Sequence, residues 1–176
     1  MTKDLTQGKI TPLLVKFTIP LLFGNIFQLM YNSVDSIIVG QLVGKEALAA
    51  VGTSNPLMTL AILFVNGMCI GASILMGTQY GAKKMDVLKR QISTTMIAGI
   101  VFSIAITLFC ILFARPLLLL IRVQEEVLPL AVSYLRIVFL GFIFTFIYNF
   151  FACTLRALGD STTPLYFLVA SSVLNI

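Results

Sequence analysis

Four stretches of this sequence are too long and too apolar to be covered by an ordinary soluble fold: residues 17–43, 55–76, 92–113 and 129–153. A helix needs about 20 predominantly apolar residues to cross the hydrocarbon core of a bilayer. Two of the stretches carry no charged residue, and the others carry one each, Asp35 and Arg136. Charged residues make up 11% of the chain against 59% hydrophobic ones, whereas soluble domains carry about 25% charged residues. Lipid offers no water to backbone N–H and C=O groups, so such stretches must be helices or a closed barrel. Their length and their lack of alternating polarity favour helices. The expected fold is an all-α polytopic membrane protein.

A fifth apolar run, residues 164–176, reads "PLYFLVASSVLNI" and stops at Ile176, short of a full crossing. The expectation is four complete transmembrane helices plus a truncated fifth, within a longer chain. The N-terminus "MTKDLTQGKI" carries no cleavage-site pattern and is not read as a signal peptide. Cys69, Cys110 and Cys153 all lie inside apolar runs and read as small buried apolar residues. With no histidine in the chain, an imidazole metal site is excluded.

Basic residues distribute unevenly between the spans. Lys3, Lys9, Lys16, Lys83, Lys84, Lys89, Arg90 and Arg156 fall on one side of the expected topology, against Lys45, Arg115 and Arg122 on the other. The positive-inside rule then puts the N-terminus in the cytoplasm of a multi-pass cell-membrane protein. The connectors carry helix punctuation. "RALGDSTTP" supplies Gly159 to end one helix, Asp160, Ser161, Thr162 or Thr163 to cap the next, and Pro164 for its first turn. "GTSNP" suggests Ser54 or Asn55 as a cap and Pro56 in the first turn of the second helix. "QYGAKKMDVLKR" reads as a polar connector.

The polar residues inside the spans are not scattered. Asn25, Gln28, Asn32, Asp35 and Ser36 recur at spacings that put them on one helical face, with Tyr31 at its edge. Lipid cannot satisfy amides and a carboxylate, so this face must look into protein or a wet cavity. For Asn25, Gln28 and Asn32, a polar seam between helices and a cavity lining are both open readings. For Asp35 an ion or proton site is favoured, because charge within a span is costly. Asn55, Thr59, Asn66 and Ser73 share a face of the second span, with Gly67 and Gly71 suited to close helix packing. Thr145, Tyr148 and Asn149 cluster in the fourth. Arg136 is expected to snorkel or to pair with Glu125 or Glu126.

An intramembrane aspartyl protease needs two facing aspartates, and the topology separates Asp35 from Asp160. The stretch Ala157-Leu158-Gly159-Asp160 also lacks the first glycine of a GxGD motif. No serine, cysteine or metal constellation suggests another enzyme. A channel remains conceivable, but a carrier with a carboxylate-linked ion site fits the pattern better.

Three segments carry a family resemblance. "IPLLFGNIFQLMYNSVDSIIVGQLVGKEALAAVG", through Ile19-Pro20, Val34-Asp35-Ser36, Val39-Gly40 and Leu48 to Gly52, resembles the first helix and following loop of the MATE family of multidrug and toxin extrusion transporters. "TQYGAKK" and "LRALGDSTTP" resemble that family's later loops. The resemblance implies twelve helices in two six-helix lobes, of which this chain supplies most of the N-terminal one. It further implies antiport of cationic amphipathic drugs against Na⁺ or H⁺, with no other cofactor and no nucleic-acid partner. The partners are then small organic cations, membrane lipid and the missing C-terminal lobe. The family's first-helix aspartate maps onto Asp35 and its fifth-helix asparagine onto Asn175, the cation-binding candidates. Asn32, Asn66 and Asn149 are candidate oxygen donors nearby, and Asn25, Gln28 and Tyr31 candidate cavity lining. The alternatives are a lipid-linked flippase of related fold or a non-transporting membrane fragment.

Overall fold

A computed structural model of the chain describes residues 10–38, 40–41 and 44–175, apart from the side chains of Asp35, Val173, Leu174 and Asn175. Lys3, Lys9, Val39, Val43 and Ile176 lie outside the described residues. Six helices follow one another: α1 (Ile10–Ile38), α2 (Lys45–Gly81), α3 (Met85–Leu120), α4 (Leu128–Leu140), α5 (Phe142–Ala157) and α6 (Thr162–Asn175). No strand occurs among the described residues. The first three are long and apolar enough to cross a membrane, at 29, 37 and 36 residues. Helices α4 and α5 pass the same test only together, and they meet at a bend of 45°. The fold is that of an all-α, multi-pass membrane protein.

The fourth span is therefore broken where the sequence reads as continuous. The bend falls at Gly141, where the ladder tightens: Gly141 N–H donates to Val138 O at 3.0 Å, and Phe144 N–H to Gly141 O at 3.0 Å. A glycine between two phenylalanine-rich turns contributes little helix propensity of its own. The start of α2 also departs from expectation. Ser54 and Asn55 are not caps, because the helix begins at Lys45 and runs through Pro56. Ser54 is instead fully buried and donates its hydroxyl back to Ala50 O at 2.7 Å. Interior prolines are tolerated in membrane helices, since neighbouring groups re-satisfy the carbonyl that loses its partner. Pro20 in α1 and Pro116 in α3 are placed the same way. Most of the presumed connector around Lys83 is helical too, leaving 82–84 between α2 and α3.

Three helices end in the same closed turn. After α2, Lys84 N–H donates to Gln79 O and Lys83 N–H to Tyr80 O, both at 3.0 Å. After α3, Val123 N–H reaches Leu118 O at 3.2 Å and Arg122 N–H reaches Leu119 O at 3.0 Å. After α5, Asp160 N–H reaches Leu155 O at 2.9 Å and Gly159 N–H reaches Arg156 O at 3.0 Å. This paired closure requires a left-handed residue just past the helix. Gly159 fills it without strain at φ 84°, whereas Lys83 and Arg122 adopt φ 57° and 58° with a β-carbon present.

Packing divides the chain into two units. One comprises residues 1–34, 69–95 and 149–176, and its core holds Cys69, Met76, Leu88, Phe150, Ala152, Cys153 and Thr154. Within it α1 meets α6: a β-carbon on Gly24 would lie 3.6 Å from Leu165 Cδ1 and 3.8 Å from Leu168 Cδ2. The other comprises residues 35–68 and 96–148. Its core takes Ala50, Ser54, Ala61 and Val65 from α2, Ser103, Ala114 and Leu118 from α3, Leu135 and Phe139 from α4, and Phe142 and Phe146 from α5. The α2 residues are spaced 4, 7 and 4 apart, one or two helical turns each, so a single stripe of small side chains faces inward.

Candidate functional site: the polar face of α1 and the bonds that shape its neighbours

Helix α1 is unbroken from Ile10 to Ile38, so the spacing of its polar residues becomes real geometry. Asn25, Gln28 and Asn32 are exposed on it, Tyr31 is half-buried and Ser36 is exposed. Asp35 has its backbone in the same helix, one turn from Asn32, while its side chain lies outside the described residues. The apolar side chains of α1, such as Leu22, Phe23 and Ile26, are exposed as well. Lipid can cover these but not the amides, which require protein groups or water.

The remaining candidates sit on other helices. Asn66 lies in α2 and Asn149 in α5, both half-buried. Asn175 closes α6, with its side chain outside the described residues. On α6, positions 165, 168, 172 and 175 recur at helical spacing, and the first two are those that meet α1 beside Gly24. Among the described residues no group of three histidine, cysteine or acidic side chains could hold a metal ion.

The bonds between helices were not visible in the sequence. Thr107 Oγ1 on α3 donates to Phe139 O at 3.1 Å, two residues before the break in the fourth span. Arg136 Nε on α4 donates to Ile111 O at 3.3 Å. That backbone carbonyl takes the place expected for Glu125 or Glu126. It neighbours the carbonyl of Leu112, which Pro116 deprives of its helical N–H partner. Arginine thus finds an acceptor inside the span without a second charge.

Asp160 lies in the turn between α5 and α6. It is buried and gathers the start of α6: Thr162 N–H and Thr163 N–H each donate to Oδ1 at 3.0 Å, and Thr163 Oγ1 donates to Oδ2 at 2.7 Å. Burial pushes its carboxyl up, but the bonds from Thr163 and Thr162 outweigh that and hold it below the ordinary carboxylate value. Of the cap candidates in "RALGDSTTP", Asp160 performs the capping and Gly159 ends the preceding helix.

Comparison with known proteins follows the same order of helices. The chain is 34% identical over 172 residues to the probable multidrug resistance protein YpnP of Bacillus subtilis (strain 168), covering 98% of this chain and 39% of that protein. It is 36% identical over 160 residues to the probable multidrug resistance protein YoeA of the same organism, covering 91% and 35% respectively. The chain therefore spans less than two-fifths of the length of these relatives. Among solved structures, a MOP superfamily transporter from Pyrococcus furiosus superimposes with a TM-score of 0.90 at 26% identity, over 99% of this chain and 39% of that one. The outward-facing form of a multidrug resistance MATE family transporter of the MOP superfamily gives 0.88, also at 26% identity, over 99% of this chain and 39% of that one. The MatE family model matches residues 20–176, nearly the whole sequence and all six helices but the start of α1, and the chain belongs to that family.

Proposed function

We propose that this chain forms part of a cation-coupled exporter of cationic, amphipathic compounds, in which Asp35 binds the coupling ion. The observation that carries the reading is the polar face of α1: three carboxamides and a carboxylate position on one face of an unbroken apolar helix. A buried carboxylate is costly unless a cation neutralises it. Either H⁺ or Na⁺ can do so, and Asn32 and Asn175 are the proposed neutral oxygen donors. Multidrug resistance proteins among the relatives support a drug-like cation as the counter-substrate. Ion and drug then alternate. Ion binding removes the charge that attracts the organic cation, and the drug is released outward as the ion enters. A second lobe closes the cavity, in keeping with the length of the relatives. The protein resides in the cell membrane with its N-terminus in the cytoplasm, as the basic residues suggest.

The test is efflux by the full-length protein in proteoliposomes under an imposed Na⁺ or H⁺ gradient. Asp35→Asn keeps side-chain size and removes only the charge, so ion-coupled efflux is lost while membrane insertion persists. Efflux at wild-type rates in the variant would remove Asp35 from the mechanism.

A further inference from the structure

Five basic side chains gather at one end of the first packing unit. Lys83 and Lys84 lie in the turn after α2, Lys89 and Arg90 near the start of α3, and Arg156 in the last turn of α5, and all five are exposed. Packing between the helices brings these ends together. Leu88, just before Lys89, is buried in the core of the unit and seats the start of α3. Thr154 Oγ1 of α5 donates to Met76 Sδ of α2 at 3.7 Å. A β-carbon on Gly77 would lie 3.6 Å from the carbonyl oxygen of Ala157, the residue after Arg156. Gly77 precedes the lysine turn by less than two turns of helix. Carboxylates do not balance the cluster. Asp86 is exposed one turn before Arg90, but Asp160 is buried, and its oxygens accept the bonds from Thr162 and Thr163.

We infer that this end of the unit binds anionic phospholipid, with the five basic side chains on the headgroup phosphates and acyl chains along α3. Depth supports a lipid. Arg90 stands two residues before the apolar stretch 92–113 and Arg156 three residues after the stretch 129–153. Cations at such positions meet headgroups and not hydrocarbon. The helical face supports it as well. Ile97 and Val101 follow Arg90 by 7 and 11 residues, so they share its face of α3, and they are 65% and 62% exposed. An inorganic anion offers nothing to these two side chains, whereas a phospholipid covers them while its phosphate meets Arg90. The inference does not depend on the drug-export reading.

The experiment adds dioleoylphosphatidylglycerol, or dioleoylphosphatidylcholine as the zwitterionic control, to the full-length protein in detergent. Retained lipid is counted by native mass spectrometry, and unfolding temperature is measured in parallel. Each basic residue near an anionic surface contributes a factor of about five in affinity. The Lys84→Gln, Arg90→Gln, Arg156→Gln triple variant should therefore bind phosphatidylglycerol about 100-fold more weakly than wild type. It should also lose the rise in unfolding temperature that a bound lipid gives wild type. Lys45→Gln, at the opposite end of α2, should match wild type, and so should Arg90→Lys with Arg156→Lys, which keeps both charges. Added NaCl should weaken phosphatidylglycerol retention by wild type, a reading that needs no substitution. Equal retention of the two lipids by wild type would overturn the proposal, as would undiminished phosphatidylglycerol retention by the triple variant. Displacement by inorganic phosphate beyond that caused by NaCl of the same ionic strength would also overturn it, because the patch would then be a soluble-anion site.

Discussion

The ring of Phe146 on α5 occupies the space that a β-carbon on Gly99 of α3 would need. Phe146 has no solvent exposure, and its Cζ and Cε2 atoms are the groups a methyl would strike. Gly99 is thus a packing residue, chosen for the missing side chain at the point where an aromatic ring lies against helix backbone.

Gly99→Ala should therefore overpack this contact, at a cost of about 1–3 kcal/mol. Thermal unfolding of the full-length protein in detergent reads the effect. Phe146→Leu frees the space, so adding it to Gly99→Ala should recover part of the loss. Simple addition of the two single effects would show that the contact does not couple them.

This contact illustrates what sequence could and could not disclose. The spans, the polar stripe of α1 and the Gly159–Asp160 turn were legible because each depends on residues within a few positions of one another. Gly99 and Phe146 are far apart in sequence, and only the pairing of α3 with α5 joins them. Pro56 misled for a different reason. In water a proline with a preceding Ser-Asn marks a helix start, but a membrane helix passes through it. For Arg136 the sequence offers two partners, water reached by snorkelling or the carboxylate of Glu125 or Glu126. A proline-weakened stretch of α3 offered a backbone acceptor first. The side chains of Asp35 and Asn175 lie outside the described residues, so their roles rest on the resemblance and on position.

Thr107→Val removes the hydroxyl that reaches Phe139 O and keeps the side-chain shape. Interhelical hydrogen bonds in membranes contribute about 0.6 kcal/mol on average. A loss of that order in unfolding free energy is expected, with spin-label distances across the α4–α5 bend becoming broader. An unchanged distance distribution would mean that the bend is held by packing alone.

Asp160 links the start of α6 to pH. Its carboxyl is held below the ordinary value of 3.8, so the charged form is favoured in the folded protein. The stabilisation is complete above that ordinary value and disappears as pH falls through the depressed one. Asp160→Ala should cost about 1–2 kcal/mol at neutral pH, as loss of a helix cap does. The gap between the variant and wild type should close in strong acid. A gap independent of pH would assign the effect to shape and not to charge.

Lys83 and Arg122 pay for a left-handed backbone that glycine adopts freely. Replacing either with glycine should stabilise the protein by about 1 kcal/mol, provided the closed turn persists. Neither side chain is buried, so little packing is lost. A lower unfolding temperature for Lys83→Gly would indicate that the ammonium group makes a contribution larger than the backbone strain.

The orientation can be read by labelling intact cells with an impermeant thiol reagent. Cysteines introduced at Lys45 or Glu125 should react, and those at Lys84 should not. Reaction at Lys84 alone would invert the topology.

The bond from Thr107 to Phe139 also bears on biosynthesis. Its donor precedes its acceptor by 32 residues, and chains are made from the N-terminus onward. When the bend in α4–α5 leaves the ribosome, the hydroxyl that meets it has already been translated. Arg136 likewise emerges after the Ile111 carbonyl it will bond. The third helix can thus serve as a template laid down in advance, against which the later, irregular span acquires its angle during insertion.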